Sequence, residues 1–122
     1  MRDFCQTDTT LFRFSALTFN AHKIHLNKDW CQNVEGHRDL VVHGPLNLIN
    51  ILDFYRDVNE RGSSETIPKS ITYRATAPLY VGEKYRIILE KDPKVEKGER
   101  PKWKAEVYDS YGEVAVMADI VE

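Results

Sequence analysis

The chain has 122 residues, with 17 basic against 19 acidic side chains and a formal net charge of −2. That length predicts one domain, large enough to bury a respectable core. The charges balance in both halves without a basic stripe, which argues against a phosphate-tracking nucleic-acid binder, and no apolar run approaches the ~18 residues needed to span a bilayer.

Residues 1–10 are polar and read as an N-terminal arm or linker, with 11–122 as a single domain. This arm has no apolar signal core and carries Asp3 and Asp8, unlike a secretory or transit peptide. Cys5 and Cys31 stand far apart without metal-like spacing and read as reduced thiols of an intracellular protein. Leu11 to Phe19 reads as a strand entering the Asn20–His25 region. Asn27 is placed to cap a short helix begun by Lys28-Asp29-Trp30. Glu35 to Asp39 is a loop, and Leu40-Val41-Val42 a short buried strand or turn.

Pro45 suits the first turn of a helix, where its missing N–H costs nothing. The helix is expected to run to about Glu60 and to end near Gly62-Ser63-Ser64. Leu46, Leu48, Ile49, Ile51, Leu52, Phe54, Tyr55 and Val58 cover most of its circumference. Asn47, Asn50, Asp53 and Asp57 leave only a narrow polar stripe, so the helix should be nearly surrounded. Ser70–Ala75 and Lys84–Glu90 follow as strands, connected through Pro78 and Gly82. Residues 91–101 form an exposed, charged hairpin loop. Trp103, Ala105 and Val107 alternate with Lys102, Lys104 and Glu106 as a half-buried strand. Asp109-Ser110-Tyr111-Gly112 is a tight turn, and Val114, Val116, Ala118 and Ile120 mark the last strand. One long apolar helix, one earlier strand and a four-strand meander give an α+β class, with an antiparallel sheet wrapped around a long central helix: the hotdog arrangement. An open sheet edge and an under-covered helix predict self-association.

The chemistry concentrates before and at the start of that helix. His25 can take or deliver a proton, or hold a water poised to attack, near neutral pH; the alternative is a satisfied structural histidine. Asn20, five residues earlier, can orient a water or a carbonyl but cannot accept a proton, and an Asx-turn would explain it equally. His22 and His25 are three apart, but no neighbouring carboxylate or thiolate completes a ligand set, so no metal is expected. Gly44 follows His43 at the helix start, where unpaired N–H groups and the helix dipole favour developing negative charge; a tight entry into the helix is the plainer reading. Arg13 could bind a substrate carboxylate or sit as a solvated edge charge. No Gly-rich phosphate loop, nucleophile elbow or CxxC pair occurs.

Asn20-Ala21-His22-Lys23-Ile24-His25, Val42-His43-Gly44-Pro45-Leu46 and the turn Thr76 to Glu83 resemble the MaoC-like hotdog hydratases and dehydratases. The longer strings Phe12 to His25 and Leu40 to Leu46 are similar to the hydroxyacyl-thioester dehydratase type 2 group and to the mesaconyl-C4-CoA and itaconyl-CoA hydratases. The resemblance covers roughly residues 11–121. It implies a hydro-lyase acting across the 2,3 bond of an enoyl or 3-hydroxyacyl thioester of CoA or acyl carrier protein, without a cofactor. It also implies His25 as the catalytic histidine, with Asn20 where the MaoC-like pattern has an aspartate. Ser15, His22, His43, Gly44 and Arg13 are then expected to contact the substrate. Relatives with this signature look like double hotdogs, so a homodimer or pairing with a second hotdog is expected. The compartment implied is mitochondrial or cytoplasmic. A hotdog thioesterase using His25 or Asp53, and a non-catalytic hotdog partner, are the alternatives.

Overall fold

A computed structural model describes residues 1–60, 68–93 and 98–122. Five strands form one antiparallel sheet in the order β1-β3-β4-β5-β2. They are β1 (Arg2–Phe4), β2 (Ser70–Ala75), β3 (Tyr85–Lys91), β4 (Lys102–Tyr108) and β5 (Val114–Val121), and the helices are α1 (Asp8–Leu17), α2 (Lys28–Trp30) and α3 (Gly44–Glu60). The expected helix end near Gly62-Ser63-Ser64, and residues 94–97 of the charged loop, lie outside the described residues.

The alternation read in the fourth strand is the alternation seen. Ala105 and Val107 are fully buried, and Trp103 packs against the core as its Nε1 donates to Glu122 Oε1 at 2.8 Å. β3, β4 and β5 do form a meander, but β2 does not precede β3 in it. β2 crosses to the far side and pairs with β5, from Ser70 opposite Val121 to Ala75 opposite Val116. The four-strand meander is therefore corrected to three strands plus a crossover. Thr76 and Ala77 donate their N–H groups to the Ala115 carbonyl at 2.8 and 3.2 Å, which anchors the start of that crossover.

The arm expected over residues 1–10 also differs. Its first part is the edge strand β1, held to β3 by Phe4 stacking on Tyr85 at 5.5 Å and by Asp3 opposite Arg86. Arg86 grips the Asp3 carboxylate with two nitrogens at 2.6 and 3.1 Å. Cross-strand pairs of this kind fix register.

The strand expected over Leu11 to Phe19 is instead helix α1. Thr7 caps it, its Oγ1 accepting the Thr10 N–H at 3.2 Å, and Asp8 sits in the first turn beside the positive end of the dipole. Leu11 and Ser15, four apart, are its buried residues. The apolar run reads as a strand; the cap and the i, i+4 burial decide for a helix. Phe19 closes it in the left-handed region, φ 54°. The Asn20 N–H donates to the Ser15 carbonyl at 2.9 Å and the Phe19 N–H to Ala16 at 3.4 Å, a Schellman closure with phenylalanine in the position glycine usually takes.

α3 supplies Ile51 and Tyr55 to the core shared with Leu11, Cys31, Ile87, Ala105, Val107 and Ile120. It is less enclosed than its sequence suggests, since Ile49 is 51% and Val58 39% exposed. Asn47, read as part of the polar stripe, is buried, while Asp57 is exposed and paired with Arg2 at 2.7 Å. Among the described residues no helix is long and apolar enough to cross a membrane.

Candidate active site

Three segments meet at the start of α3. α1 brings Ser15 and Phe14, the single 3-10 turn Lys23–His25 brings His25, and the residue before α3 is His43. The 3-10 turn forms because its ends are tied: His22 Nδ1 accepts the Ile24 N–H at 3.3 Å, and the Leu26 N–H donates to the Lys23 carbonyl at 3.0 Å. Asn20 enters it through an Asx-turn, Oδ1 accepting the His22 N–H at 3.1 Å. Asn27 then caps α2 as expected, accepting the Trp30 N–H at 3.0 Å.

His25 is buried, 7% exposed, with Nδ1 2.6 Å from the Val41 carbonyl oxygen. A carbonyl only accepts, so Nδ1 carries the proton and donates it, and Nε2 keeps its lone pair. Among the described residues Nε2 has no hydrogen-bond partner, and it is not one of the sealed, unpaired atoms, which are His43 Nδ1 and Asn47 Oδ1. Val41 is itself fixed: its N–H donates to the Ile24 carbonyl at 2.8 Å, and it bridges to Tyr80. Burial holds the His25 imidazole below its ordinary titration range; the Val41 carbonyl works against this and His22 adds to it.

His43 is fully enclosed. Its Nε2 is 2.7 Å from Ser15 Oγ, its ring stacks on His25 at 3.6 Å and 17°, and Phe14 meets it edge-on at 4.8 Å. Burial, with His25 beside it, pushes its titration down to about 4, so His43 is neutral at pH 7. The His43 carbonyl accepts the Asn47 N–H at 3.2 Å, which makes His43 the residue capping α3 and Gly44 its first helical residue. Gly44 is exposed, and a Cβ there would meet nothing within 4 Å.

The structure thus gathers His25, His43 and Ser15 in contact, with Gly44 adjacent and Asn20 at the mouth of the same turn. His22 is exposed, its ring 6.0 Å from that of His25, and among the described residues no third ligand side chain joins them. Arg13 lies apart. It falls between Leu11 and Ser15 on α1, and so on the exposed side of the helix. Asp53 is exposed nine residues into α3, paired with Arg56 at 2.6 Å and Arg2 at 3.5 Å. The sequence reading missed the Val41 carbonyl, for which no side-chain signal exists. It also missed Phe14, which stood in the matched string, and the burial of Asn47, whose i, i+4 spacing from His43 was the available clue.

The family model for hydroxyacyl-thioester dehydratase type 2 matches residues 1–81. Over 78 residues the chain is 40% identical to a mesaconyl-C(4)-CoA hydratase of Chloroflexus aurantiacus, covering 64% of this chain and 26% of that protein. Over 86 residues it is 35% identical to the mitochondrial hydroxyacyl-thioester dehydratase type 2 of Schizosaccharomyces pombe, covering 70% and 28%. The chain therefore spans about a quarter of the length of the curated relatives it matches. Among solved structures, an (R)-hydratase from A. caviae superposes with a TM-score of 0.81 at 16% identity, over 98% of this chain and 89% of that one. That likeness confirms the α+β hotdog fold.

Proposed function

Because this chain belongs to the hydroxyacyl-thioester dehydratase type 2 family, we propose that it is a hydro-lyase adding or removing water across the 2,3 bond of an enoyl or 3-hydroxyacyl thioester. The observation that carries the reading is His25, a buried neutral imidazole whose Nδ1 is committed to a backbone carbonyl and whose Nε2 is uncommitted beside the start of a 17-residue helix. In the hydration direction Nε2 takes a proton from water as the oxygen bonds to the β-carbon. The electron pair of the 2,3 double bond moves onto the thioester oxygen, where the Gly44 N–H and the helix dipole meet it. The imidazolium then returns its proton to the α-carbon, and dehydration is the reverse. Asn20 spends Oδ1 on the Asx-turn, which leaves its Nδ2 to hold the attacking water or the β-hydroxyl. Substrate contacts by Ser15, His22 and Arg13 receive less support: Ser15 is buried against His43, and Arg13 is on the outer side of α1.

The chain is also proposed to pair with a second hotdog, either another copy or a partner domain. Its share of its relatives' length and the open β2 edge, where Tyr73 is 45% exposed, support this. A mitochondrial address, as in the name of the fission-yeast relative, belongs to the proposal and is checked by imaging a tagged chain. The test of the activity follows the purified protein with crotonyl-CoA and mesaconyl-C4-CoA, recording loss of enoyl-thioester absorbance and release of free CoA. Enoyl loss without CoA release, reduced about 10²- to 10⁴-fold by His25→Ala, is expected. CoA release would mean a thioesterase. No turnover, alone or with an added hotdog partner, would leave a non-catalytic domain.

A further inference from the structure

We propose that His43 is a positioning residue for His25: its enclosed ring, tethered to Ser15, lies flat on the His25 imidazole, fixing that ring's plane and shielding it from water. The inference rests on the hydratase reading only for what His25 does with its proton; the positioning itself stands on geometry.

His43 is unsuited to touching a substrate. Its ring has no exposed surface, and Nδ1 is sealed without a partner among the described residues. Its Nε2 is committed to Ser15 Oγ, itself buried. What remains is its face, and that face is on His25 at 3.6 Å, 17° from parallel. Phe14 meets His43 edge-on at 4.8 Å, so α1 backs His43 and His43 backs His25.

Among the described residues the His25 ring has one hydrogen bond of its own, to Val41. A ring held at a single point can pivot about it. The stacked His43 removes that freedom, so Nδ1 stays on the carbonyl and Nε2 keeps one direction. The same contact strips water from one face and so favours the neutral, proton-accepting form. The ionisable groups facing His25 are His22 on its own turn and His43 from the helix entry. α1 presents only Phe14 and Ser15 to the pair, and the nearby Cys31 thiol is turned to the Lys23 and Ile24 carbonyls. His25 thus has imidazoles, and no described carboxylate or cation, to set its proton affinity.

The test is a nitrogen-15 NMR titration of His25 in the full chain, comparing wild type with His43→Ala, His43→Phe and Ser15→Ala. This readout needs no turnover, so failure of the hydratase reading and failure of this one are separable. His43→Ala is expected to move the His25 midpoint up toward the ordinary histidine range and to abolish the single Nδ1–H tautomer. His43→Phe keeps a flat ring over His25 but loses the Ser15 tether, so it retains the lowered midpoint while the tautomer becomes mixed. Ser15→Ala unties His43 and gives a mixed tautomer, and it decides the question if His43→Ala does not fold. With a turned-over substrate, His43→Ala lowers kcat by about 10- to 100-fold through misplacement, with little change in KM, and its acid limb follows the NMR midpoint. A His25 midpoint and tautomer indifferent to both His43→Ala and Ser15→Ala, or to Ser15→Ala alone where the former is unfolded, would overturn the proposal.

Discussion

Enclosing a neutral histidine ties folding to pH, and His43 allows the size to be worked out. Its titration sits at about 4 in the folded chain against 6.5 for an ordinary histidine. The depressed value means that between those limits the unfolded chain binds a proton that the folded chain refuses. Stability therefore falls as pH drops through 6.5, by about 1.4 kcal/mol for each unit. Between about pH 7 and pH 5 the loss from this group is about 2 kcal/mol. His25, also held low, adds to it with the same sign. The Asp3 and Glu83 carboxylates, held below their usual range by Arg86 and Arg38, contribute only at lower pH. The assay is urea unfolding followed by the fluorescence of Trp30 and Trp103. With a slope of about 2 kcal/mol per molar, the midpoint should drop by about 1 M between the two pH values. The control is the double variant Ser15→Ala/His43→Phe, which removes both hydrogen-bonding partners together and strands neither. Between the two pH values its midpoint should drop by about 1 M less than that of wild type. Equal pH dependence in the two proteins would refute the account of His43 as an enclosed neutral base.

Three further outcomes follow from the site and its supports. Gly44→Ala meets no neighbouring atom and should keep activity. Gly44→Pro suits the first helical position sterically but removes the N–H, and steady-state assay should show kcat lower by about 10²- to 10³-fold. Asn20→Asp keeps the acceptor of the Asx-turn but replaces the Nδ2 donor; melting temperature should hold while kcat falls. An unchanged or higher kcat would assign that position a base instead of a donor. Phe19→Gly relieves a left-handed residue whose side chain is 96% exposed. About 1–2 kcal/mol of strain, less about 0.4–1 kcal/mol of unfolded-state entropy, predicts a melting temperature higher by about 2–5 °C, readable by calorimetry.

The parts of the fold that were legible in the sequence are those decided locally. Pro45 and the apolar run after it announce α3, the Trp103-Ala105-Val107 alternation announces β4, and Asn27 announces α2 because its side chain caps the helix it precedes. The misreadings arose where a non-local term wins. β1 is three residues long and exists because Arg86 and Tyr85 are waiting for it. The partner of β2 is set by where the crossover is anchored on Ala115. In α1, strand-like composition is overridden by the Thr7 cap and a closing turn that tolerates Phe19. The site follows the same division. His25, His43 and Gly44 are legible as residues, but the stacking of His25 on His43, whose tether Ser15 lies twenty-eight residues before it, becomes visible only when three segments converge.

The bond from His25 to Val41 has an evolutionary side. Many histidine bases are oriented by a carboxylate, which one codon change can delete or tune. Here the orienting group is a main-chain oxygen, and every amino acid at position 41 supplies the same one. Point substitution at 41 can change bulk and packing but cannot remove the acceptor. Altering the tautomer requires moving the backbone, and that backbone is pinned to Ile24 on one side and to Leu79 and Tyr80 on the other. The proton inventory of His25 is thus buffered against single mutations at the residue that sets it. Its sensitive points lie instead in the segments that pin this backbone, at Ile24 and at Leu79 to Val81, the latter remote in sequence from the histidine they govern.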